Sequence, residues 1–416
     1  MKISAFPAIR PTEGNETAIA SLPYDVMNTE EAFAMAEGKP HSFLHVVRSE
    51  IDFPKGTDPH TAPIYAKAAE NLAGLITNNL MMREGEAKLY IYRQQMGEHK
   101  QTSVVACCDI DDYANNVILR HEKTRKDKEE DRLTHILTTN ANTGQVFLTY
   151  RDVAAIDAIV AEECAKAPIY DFVAEDGIGH TVWIVEKTNE LIAAFEAVPK
   201  AYIADGHHRS AASFRAGMEK RKAAGDCYDA DAEFNRFMAC LFPASQLKLL
   251  PYNRCVKDLN GLSTEAFLAK VSEGFKMEKI ASPELAGSCT CAMYIDKQWY
   301  KLGWTLDKID STDPVAQLDV SRLQEDLLAP ILGIGDPRTD ERIFFVGGIR
   351  GNGELVKNVD SGEAAVAFAM YPTTIEQMMA IADAGQTMPP KSTWFEPKLR
   401  SGLLVHELGE ATQCNV

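Results

Sequence analysis

The sequence predicts a mixed α/β protein of the α+β class. Short runs of β-branched and aromatic residues alternate with longer amphipathic windows, which is typical of chains that combine helices with sheets. Hydrophobic residues make up 45% and charged residues 25% of the 416 positions, so the chain can bury a large core. This length suggests two or three lobes, and no long Pro/Gly/Ser-rich linker divides the chain.

Nine short segments are predicted as β-strands because each is rich in Val, Ile, Phe or Tyr. These strands are Lys88–Tyr92, Ser103–Asp109, Val146–Tyr150, His180–Val185, Ala201–Ala204, Phe237–Phe242, Cys291–Ile295, Ile343–Val346 and Leu403–Leu408. The glycines between 347 and 353 resemble a hairpin turn.

Six amphipathic windows are predicted as helices, and Gly225 and Gly385 stand where helix C-caps belong. These helices are Ala62–Asn78, Val153–Ala165, Glu190–Ala197, Arg209–Ala224, Ser263–Ser272 and Thr374–Ala384. A further helix is expected in the highly charged window from His121 to Arg132.

Charge and hydropathy exclude several classes of partner. The formal net charge of −17 opposes binding to a nucleic-acid backbone, which requires Lys and Arg to neutralise phosphates. No apolar run approaches the roughly 20 residues that span a bilayer, and the N-terminus lacks the apolar stretch of a secretory signal. We therefore expect a cytoplasmic protein that binds a small molecule. Its nine cysteines lack disulfide-scaffold or zinc-site spacing and are expected to be reduced.

The strongest motif is the polar run Asp205-Gly206-His207-His208-Arg209 between a predicted strand and an alanine-rich helix. Glycine permits a tight turn, and the first amides of the helix offer unpaired donors to an anion. Arg209 can add a charge-assisted contact, while the histidines can donate to phosphate or carry a proton. The alternative is that Asp205 caps the helix and the histidines are exposed polar residues.

His121 and Glu122 form a second candidate site because they follow the apolar stretch 117–119 at a junction before the charged window. A carboxylate here can orient or deprotonate an attacking hydroxyl. The alternative is a solvated helix start in which Glu122 favours the helix dipole. A zinc-protease motif is excluded, since position 125 is Arg125 and not histidine.

Two further segments are secondary candidates. Asp25 lies in a turn before a helix that begins near Asn28 or Thr29. The segment 388–402 holds three prolines and so cannot be a regular helix, but its three cations and two aromatic residues suit a flap over a phosphate or nucleobase. The alternative for this flap is a loop anchored in the core by its aromatic side chains.

The motif at 205–209 resembles the phosphate-binding motif of the ParB/sulfiredoxin-like superfamily, whose members bind nucleotides at a strand–turn–helix. Free serine kinases of that superfamily carry a similar run, and the likeness to them covers about Leu119 to Ala216. It departs from the usual pattern at Arg120, where proline is frequent, and at Ser210, where an aromatic residue is common.

Nearly end to end, the chain is similar to an uncharacterised-domain family numbered 1015. The segments that carry this similarity are Leu22-Pro23-Tyr24-Asp25-Val26, His121-Glu122-Lys123-Thr124, Asp131-Arg132, the run 205–209 and Met388-Pro389-Pro390-Lys391-Ser392-Thr393.

The motifs and the resemblance together imply a set of roles for individual residues. We expect catalysis by Glu122, His121 and Asp205, phosphate or nucleotide binding by Gly206, His207, His208, Arg209 and Lys391, and substrate binding by Asp25 and Thr124. No metal ligand is assigned.

The predicted organisation is an N-terminal α/β lobe at 1–116, a ParB/sulfiredoxin-like core at 117–256 and a C-terminal α/β lobe at 257–416 that carries the flap. The expected reaction is phosphoryl transfer from ATP or ADP, with Mg²⁺, to a small hydroxyl compound, free L-serine being the best guess. Two alternatives stay open: a nucleotide-binding regulatory switch without transfer, and an ATP-dependent enzyme that acts on another small acceptor. The sequence does not predict the oligomeric state.

Overall fold

The computed structural model describes residues 1–225, 228–305 and 309–410. The chain folds into two compact units. Unit 1 combines Met1–Leu247 with the segment that begins at Pro397, and unit 2 is Lys248–Glu396. The predicted three-lobe division stays a proposal, and its boundary after residue 116 falls within a single sheet of unit 1.

The described residues contain strands and helices in mixed order, as the α+β class predicts. The strands are β1 Ile3–Ser4, β2 Ala8–Pro11, β3 Met81–Arg83, β4 Tyr90–Met96, β5 His99–Asp109, β6 Ile118–Leu119, β7 Ala141–Asn142, β8 Val146–Tyr150, β9 Tyr170–Val173, β10 Gly179–Ile184, β11 Ala201–Asp205, β12 Arg236–Pro243, β13 Lys248–Leu250, β14 Tyr252–Val256, β15 Lys276–Ile280, β16 Thr290–Ile295, β17 Gln298–Gly303, β18 Ile343–Gly347, β19 Val366–Met370, β20 Trp394–Glu396 and β21 Val405–Glu407. The helices are α1 Glu16–Ile19, α2 Thr29–Ala36, α3 Leu44–Val47, α4 Ala62–Thr77, α5 Ile110–Ala114, α6 Lys126–Thr139, α7 Ala154–Glu163, α8 Thr188–Glu196, α9 His207–Ala224, α10 Thr264–Gly274, α11 Asp319–Leu323, α12 Gly351–Asp360 and α13 Ile375–Asp383.

Unit 1 is built on a nine-stranded sheet in the order β6-β11-β8-β12-β5-β4-β10-β9, with β1 paired to β5. Most neighbours are antiparallel, but β6 runs parallel to β11 and β12 runs parallel to β8. A second sheet of unit 1 has the order β3-β2-β21-β7. Unit 2 contains a six-stranded sheet, β15-β17-β16-β19-β14-β18, and the separate pair β13-β20.

The two faces of the large sheet differ in polarity. Along each strand, every second side chain points to the same face. On one face these side chains, such as Ile91 of β4 and Val104 of β5, belong to the main hydrophobic core. On the other face the fully buried amides of Gln94 and Gln101 donate to the backbone carbonyls of Lys398 and Pro397, at 2.8 and 3.3 Å. The chain that returns from unit 2 is thereby fixed across this sheet. Within the described ranges, no helix is both long and apolar enough to cross a bilayer.

Most predicted elements lie within a few residues of observed ones, but two local predictions were wrong. The glycines at 347–353 do not form a hairpin turn, because a short 3₁₀ turn at Gly348–Arg350 leads directly into α12. The charged window does not become helical until Lys126, where α6 begins. Glu122 therefore lies in the loop before the helix and not in its first turn.

Helix α9 packs so closely on its neighbours that one glycine has no room for a side chain. A Cβ at Gly217 would lie 2.5 Å from the Phe234 carbonyl oxygen and 2.6 Å from Ile110 Cδ1. We expect Gly217→Ala to lower the free energy of unfolding by about 1–3 kcal/mol, the usual cost of overpacking. Chemical denaturation of the variant and the wild type measures this change.

Gly74→Ala is the matched control, because Gly74 lies in α4 and a Cβ there meets no atom within 4 Å. Alanine has the higher helix propensity, so this variant is expected to gain about 0.5–1 kcal/mol. Equal effects at both positions would contradict the packing derived for α9.

Candidate functional site

The parallel pairing of β6 with β11 brings the two predicted motifs to the same edge of the large sheet. Ala201 pairs with Ile118 and Tyr202 pairs with Leu119. The residues that follow each strand, His121-Glu122 and Gly206-His207, therefore leave the sheet side by side. Crevices at the carboxyl ends of parallel strands are common ligand sites, because loops and helix N-termini converge there.

The turn between β11 and α9 requires glycine. Gly206 has a φ of +97°, in the left-handed region that side chains rarely adopt, and a Cβ would lie 3.0 Å from Arg209 Nε. Gly206 is also the N-cap of α9, and no side chain caps the helix, so Asp205 is not a cap. The positive end of an 18-residue helix thus begins at His207 with its first amides available to an anion.

His121 and His207 form a buried pair at this edge. Their rings meet edge to face with centroids 4.5 Å apart, and the residues are only 2% and 5% exposed. Both ring nitrogens of His121 and Nε2 of His207 are buried without a hydrogen bond of normal geometry. Burial lowers the pKa of His121 to about 4, and burial together with the neighbouring His121 holds the pKa of His207 well below its usual range. Both rings are therefore neutral at pH 7.

Glu122 lies at the open side of the histidine pair. Its Oε2 is 3.6 Å from His207 Nδ1, and its side chain is 46% exposed, so it is accessible to a ligand from solvent. His208 fixes the loop that carries Glu122, because its Nε2 accepts a 3.0 Å hydrogen bond from the backbone N–H of Arg125. Thr124 donates its hydroxyl proton to Glu129 of α6, which fixes the same loop from its other end.

Asp205 is held as a carboxylate by two cations. Lys398 Nζ lies 3.0 Å from its Oδ2, and Arg209 Nη2 lies 3.7 Å from its Oδ1. Burial alone would raise the pKa of Asp205, but Lys398 and Arg209 together hold that pKa well below its usual range. Asp205 is consequently an anion throughout the physiological pH range.

The guanidinium of Arg209 points into the protein. Its Nη1 donates to the backbone carbonyl of Gln145, and its Nη2 lies 3.5 Å from Asp25 Oδ2. Burial opposes the charge on Arg209, yet Asp25 and Asp205 raise its pKa, so the group stays protonated. Arg209 thereby connects Asp25 with Asp205, two residues that the sequence had singled out. Its predicted role in phosphate binding stays a proposal; Nη1 and Nη2 each make one of these contacts, while Nε is buried without a hydrogen-bond partner.

A small cavity lies beside Arg209. It measures about 20 Å³, and Tyr24, Arg132 and Asn142 also line it. This volume is comparable with the space that a single buried water needs. The cavity is therefore too small to hold a nucleotide.

The last predicted residue, Lys391, belongs to unit 2. Its Nζ lies 5.4 Å from the centre of the Tyr252 ring, and its backbone carbonyl accepts a 3.2 Å hydrogen bond from Arg254. The predicted flap is therefore shared between the units: β20 pairs with β13 in unit 2, while the part from Pro397 onward belongs to unit 1.

Two residues of the site received no role from the sequence. Lys398 is the ion-pair partner of Asp205, and its only signal in the sequence was its place in a cation-rich irregular segment. Gln145 contributes only its backbone carbonyl, so no side-chain pattern could have identified it.

The buried histidines make the stability of unit 1 depend on pH. The unfolded chain protonates His121 near pH 6.5, whereas the folded chain resists protonation down to about pH 4. Stability is therefore full above pH 6.5 and is lost as the pH falls towards 4, by up to about 3 kcal/mol for this residue. Replacement by an uncharged side chain, His121→Asn, should make the loss between pH 7 and pH 4 smaller by that amount.

Urea denaturation at a series of pH values measures this difference. Buried histidines that do not contact His121 cancel in the comparison, whereas the pKa of His207 rises when His121 is removed and so changes the profile in the same direction. His41→Asn is the control, since His41 is exposed and its replacement should leave the pH profile unchanged. A His121→Asn profile parallel to the wild-type profile would show that burial of this ring does not oppose its protonation.

Comparison with known proteins identifies a family. A family model described as a protein of unknown function (DUF1015) matches residues 3–321. None of the curated proteins compared with the chain matches it.

Three solved structures resemble the chain at low identity. A free serine kinase mutant in complex with AMP has a TM-score of 0.36 at 12% identity, with 72% of this chain and 92% of that chain covered. SbnI from Staphylococcus aureus, truncated at its C-terminus, has a TM-score of 0.38 at 11% identity, with 73% and 87% covered. A conserved hypothetical protein from Pyrococcus furiosus has a TM-score of 0.34 at 14% identity, with 72% and 95% covered.

The family match spans well over half of the chain and confirms the assignment made from the motifs, whereas the ParB/sulfiredoxin-like resemblance stays a prediction. The chain belongs to the DUF1015 family of proteins of unknown function.

Proposed function

We propose that this protein transfers a phosphoryl group from ATP or ADP to the hydroxyl group of a small molecule. One observation carries the proposal: the uncapped N-terminus of α9 and the accessible carboxylate of Glu122 lie at the same sheet edge, with His207 Nδ1 3.6 Å from Glu122 Oε2. An anion-binding helix end beside a carboxylate is the arrangement that a kinase of small hydroxyl compounds requires.

The phosphates would be bound mainly by neutral donors. The first amides of α9 supply backbone N–H groups, and the helix dipole favours negative charge at that position. His207 presents a buried ring nitrogen without a partner, which can donate to a phosphate oxygen in the appropriate tautomer. Lys398 and Arg209 add positive charge, although Asp205 offsets part of it.

Transfer itself needs a group that accepts the proton of the attacking hydroxyl. In the proposed step the hydroxyl oxygen attacks the terminal phosphorus, the new O–P bond forms, and the bond between that phosphorus and the bridging oxygen of the nucleotide breaks. The hydroxyl proton passes to the carboxylate of Glu122. Glu122 suits this role because its side chain is 46% exposed to solvent, whereas the side chains of Asp25 and Asp205 are 32% and 27% exposed.

Mg²⁺ would accompany the nucleotide, where it offsets charge on the phosphate oxygens. It prefers several oxygen ligands and usually binds through one or two carboxylates together with phosphates and water. The carboxylates of Asp25 and Asp205 already face Arg209 and Lys398, so the ion would be held mainly by phosphate oxygens and water. The protein would thus contribute little to the ion's coordination.

Free L-serine is the proposed acceptor, and only the resemblance of the run 205–209 to the free serine kinases supports this choice. Incubation of the purified protein with labelled nucleotide, Mg²⁺ and a pool of small hydroxy and amino acids would identify the acceptor. A labelled product other than phosphoserine would show that the acceptor is a different compound and not serine. Nucleotide binding without any labelled product would favour the regulatory switch.

Glu122→Gln tests the role of the carboxylate. The amide keeps the shape of the side chain but cannot take the hydroxyl proton. We expect turnover to fall by about 10²–10⁴, as is usual when a general base is removed, while nucleotide affinity and melting temperature stay close to those of the wild type.

Glu130→Gln is the matched control, because Glu130 lies on α6 and pairs with Arg215 on the surface, at 2.8 Å. Its turnover should equal that of the wild type. Full turnover in Glu122→Gln would exclude Glu122 as the base and direct attention to Asp25 or Asp205.

A further inference from the structure

Three potential metal ligands that the proposed reaction does not use converge elsewhere in unit 1. Cys107 lies in β5, Glu233 in the 3₁₀ turn Glu233–Asn235, and His406 in β21. One ligand atom of each lies within 4.8 Å of the ligand atoms of the other two. Cys107 and His406 are fully buried, while the side chain of Glu233 is 25% exposed, so the group is closed on the protein side and open at one edge.

The neighbours of His406 determine which of its ring nitrogens carries hydrogen. The side chain of Asn142 is oriented by two hydrogen bonds: its Oδ1 accepts from the Met238 N–H at 3.4 Å, and its Nδ2 donates to Ser213 Oγ at 3.1 Å. The same Oδ1 lies 3.1 Å from His406 Nδ1, which must therefore be the donor. His406 Nε2 is then the nitrogen that faces the other members of the group.

This assignment creates an electrostatic requirement. His406 Nε2 lies only 2.8 Å from Glu233 Oε2. A bare imidazole nitrogen and a carboxylate oxygen are both acceptors, so a positive species has to be shared between them. Either Nε2 carries a second proton, or a metal ion binds to both atoms. The thiol of Cys107 beside them favours the metal, because a proton shared by His406 and Glu233 needs no third ligand.

We propose that Cys107 Sγ, His406 Nε2 and the Glu233 carboxylate form a binding site for a divalent transition metal ion, with zinc preferred. Zinc binds sulfur at about 2.3 Å and nitrogen or oxygen at about 2.0–2.2 Å, so tetrahedral ligand atoms lie roughly 3.3–3.6 Å apart. To reach this spacing, ligand atoms that lie up to 4.8 Å apart would have to approach one another, and the 2.8 Å contact between His406 Nε2 and Glu233 Oε2 would have to lengthen. On binding, the Cys107 thiol loses its proton to solvent, and a water molecule completes the tetrahedron at the Glu233 side.

Asn142 is a positioning residue for this site. A ligating histidine usually donates its other ring N–H to an oxygen, which fixes the tautomer and the orientation of the ring. Asn142 supplies that oxygen, and its own backbone belongs to β7, the strand that pairs directly with β21 at His406. The bound ion would join β5, β21 and the turn at 233, which lie far apart in the sequence, and would therefore stabilise unit 1.

Metal titration of the full chain tests the proposal. After treatment with a chelator, the wild type should bind one equivalent of Zn²⁺ in calorimetry and should melt at a higher temperature with Zn²⁺ than without it. Co²⁺ should bind at the same site and show the absorption of a cobalt–thiolate bond. We expect Glu233→Gln, at the exposed edge, to weaken binding by at least about tenfold.

Cys107→Ser should abolish the cobalt–thiolate absorption. Cys164→Ser is the matched control, since this half-buried cysteine lies outside the group and its replacement should change neither measurement. If Cys107→Ser does not fold, the proposal is tested by the zinc affinity of Glu233→Gln and by the effect of Zn²⁺ on the melting temperature of the wild type. The proposal is overturned if the wild type binds neither ion stoichiometrically, if cobalt binds without a thiolate, or if Glu233→Gln binds zinc as tightly as the wild type does. If the wild type binds no metal ion, the short contact between His406 and Glu233 would be explained by a proton shared between them.

Discussion

The pairing of β6 with β11 is the constraint on which the candidate site depends. β6 has only two residues and forms the outer edge of the large sheet, yet its register decides where Glu122 leaves the sheet. A shift of one residue would turn its side chains to the opposite face. Two further contacts hold this edge in place: the Ala201 N–H donates to the Val117 carbonyl at 2.9 Å, and His208 accepts from the Arg125 N–H.

The charges around α9 are balanced locally, although the chain as a whole carries a formal charge of −17. Asp205 and Asp25 are matched by Lys398 and Arg209, and the two buried histidines are neutral because burial disfavours their charged form. In the proposed reaction, an incoming phosphate would meet amide and imidazole donors in an almost neutral environment. Because the nearby carboxylates are paired with cations, they would repel the phosphate less. For the same reason, Lys398 and Arg209 would attract the phosphate less strongly than two unpaired cations.

Local patterns were sufficient to predict much of the fold, because strands and helices leave periodic signals in the sequence. The residues 146–150 were predicted with the observed bounds, and the turn at Gly206 was recognised from a single glycine between a strand and a helix. Partners that depend on long-range contacts were not predictable. Lys398 meets Asp205 across 193 positions, and His406 meets Glu233 across 173. The helix α12 was missed because its two glycines, Gly351 and Gly353, are poor helix formers.

The return of the chain to unit 1 after residue 396 has a consequence for biosynthesis. Asp205 and the other residues of the strand edge emerge from the ribosome long before Lys398 and His406. During translation of the whole of unit 2, the nascent unit 1 lacks Lys398, one of the two cations beside Asp205, and also lacks β21. Gln94 and Gln101 remain without the carbonyls to which they donate in the finished protein. Unit 1 is thus completed only after unit 2 has been translated, and a chain that stops before residue 397 leaves these buried polar groups unmatched.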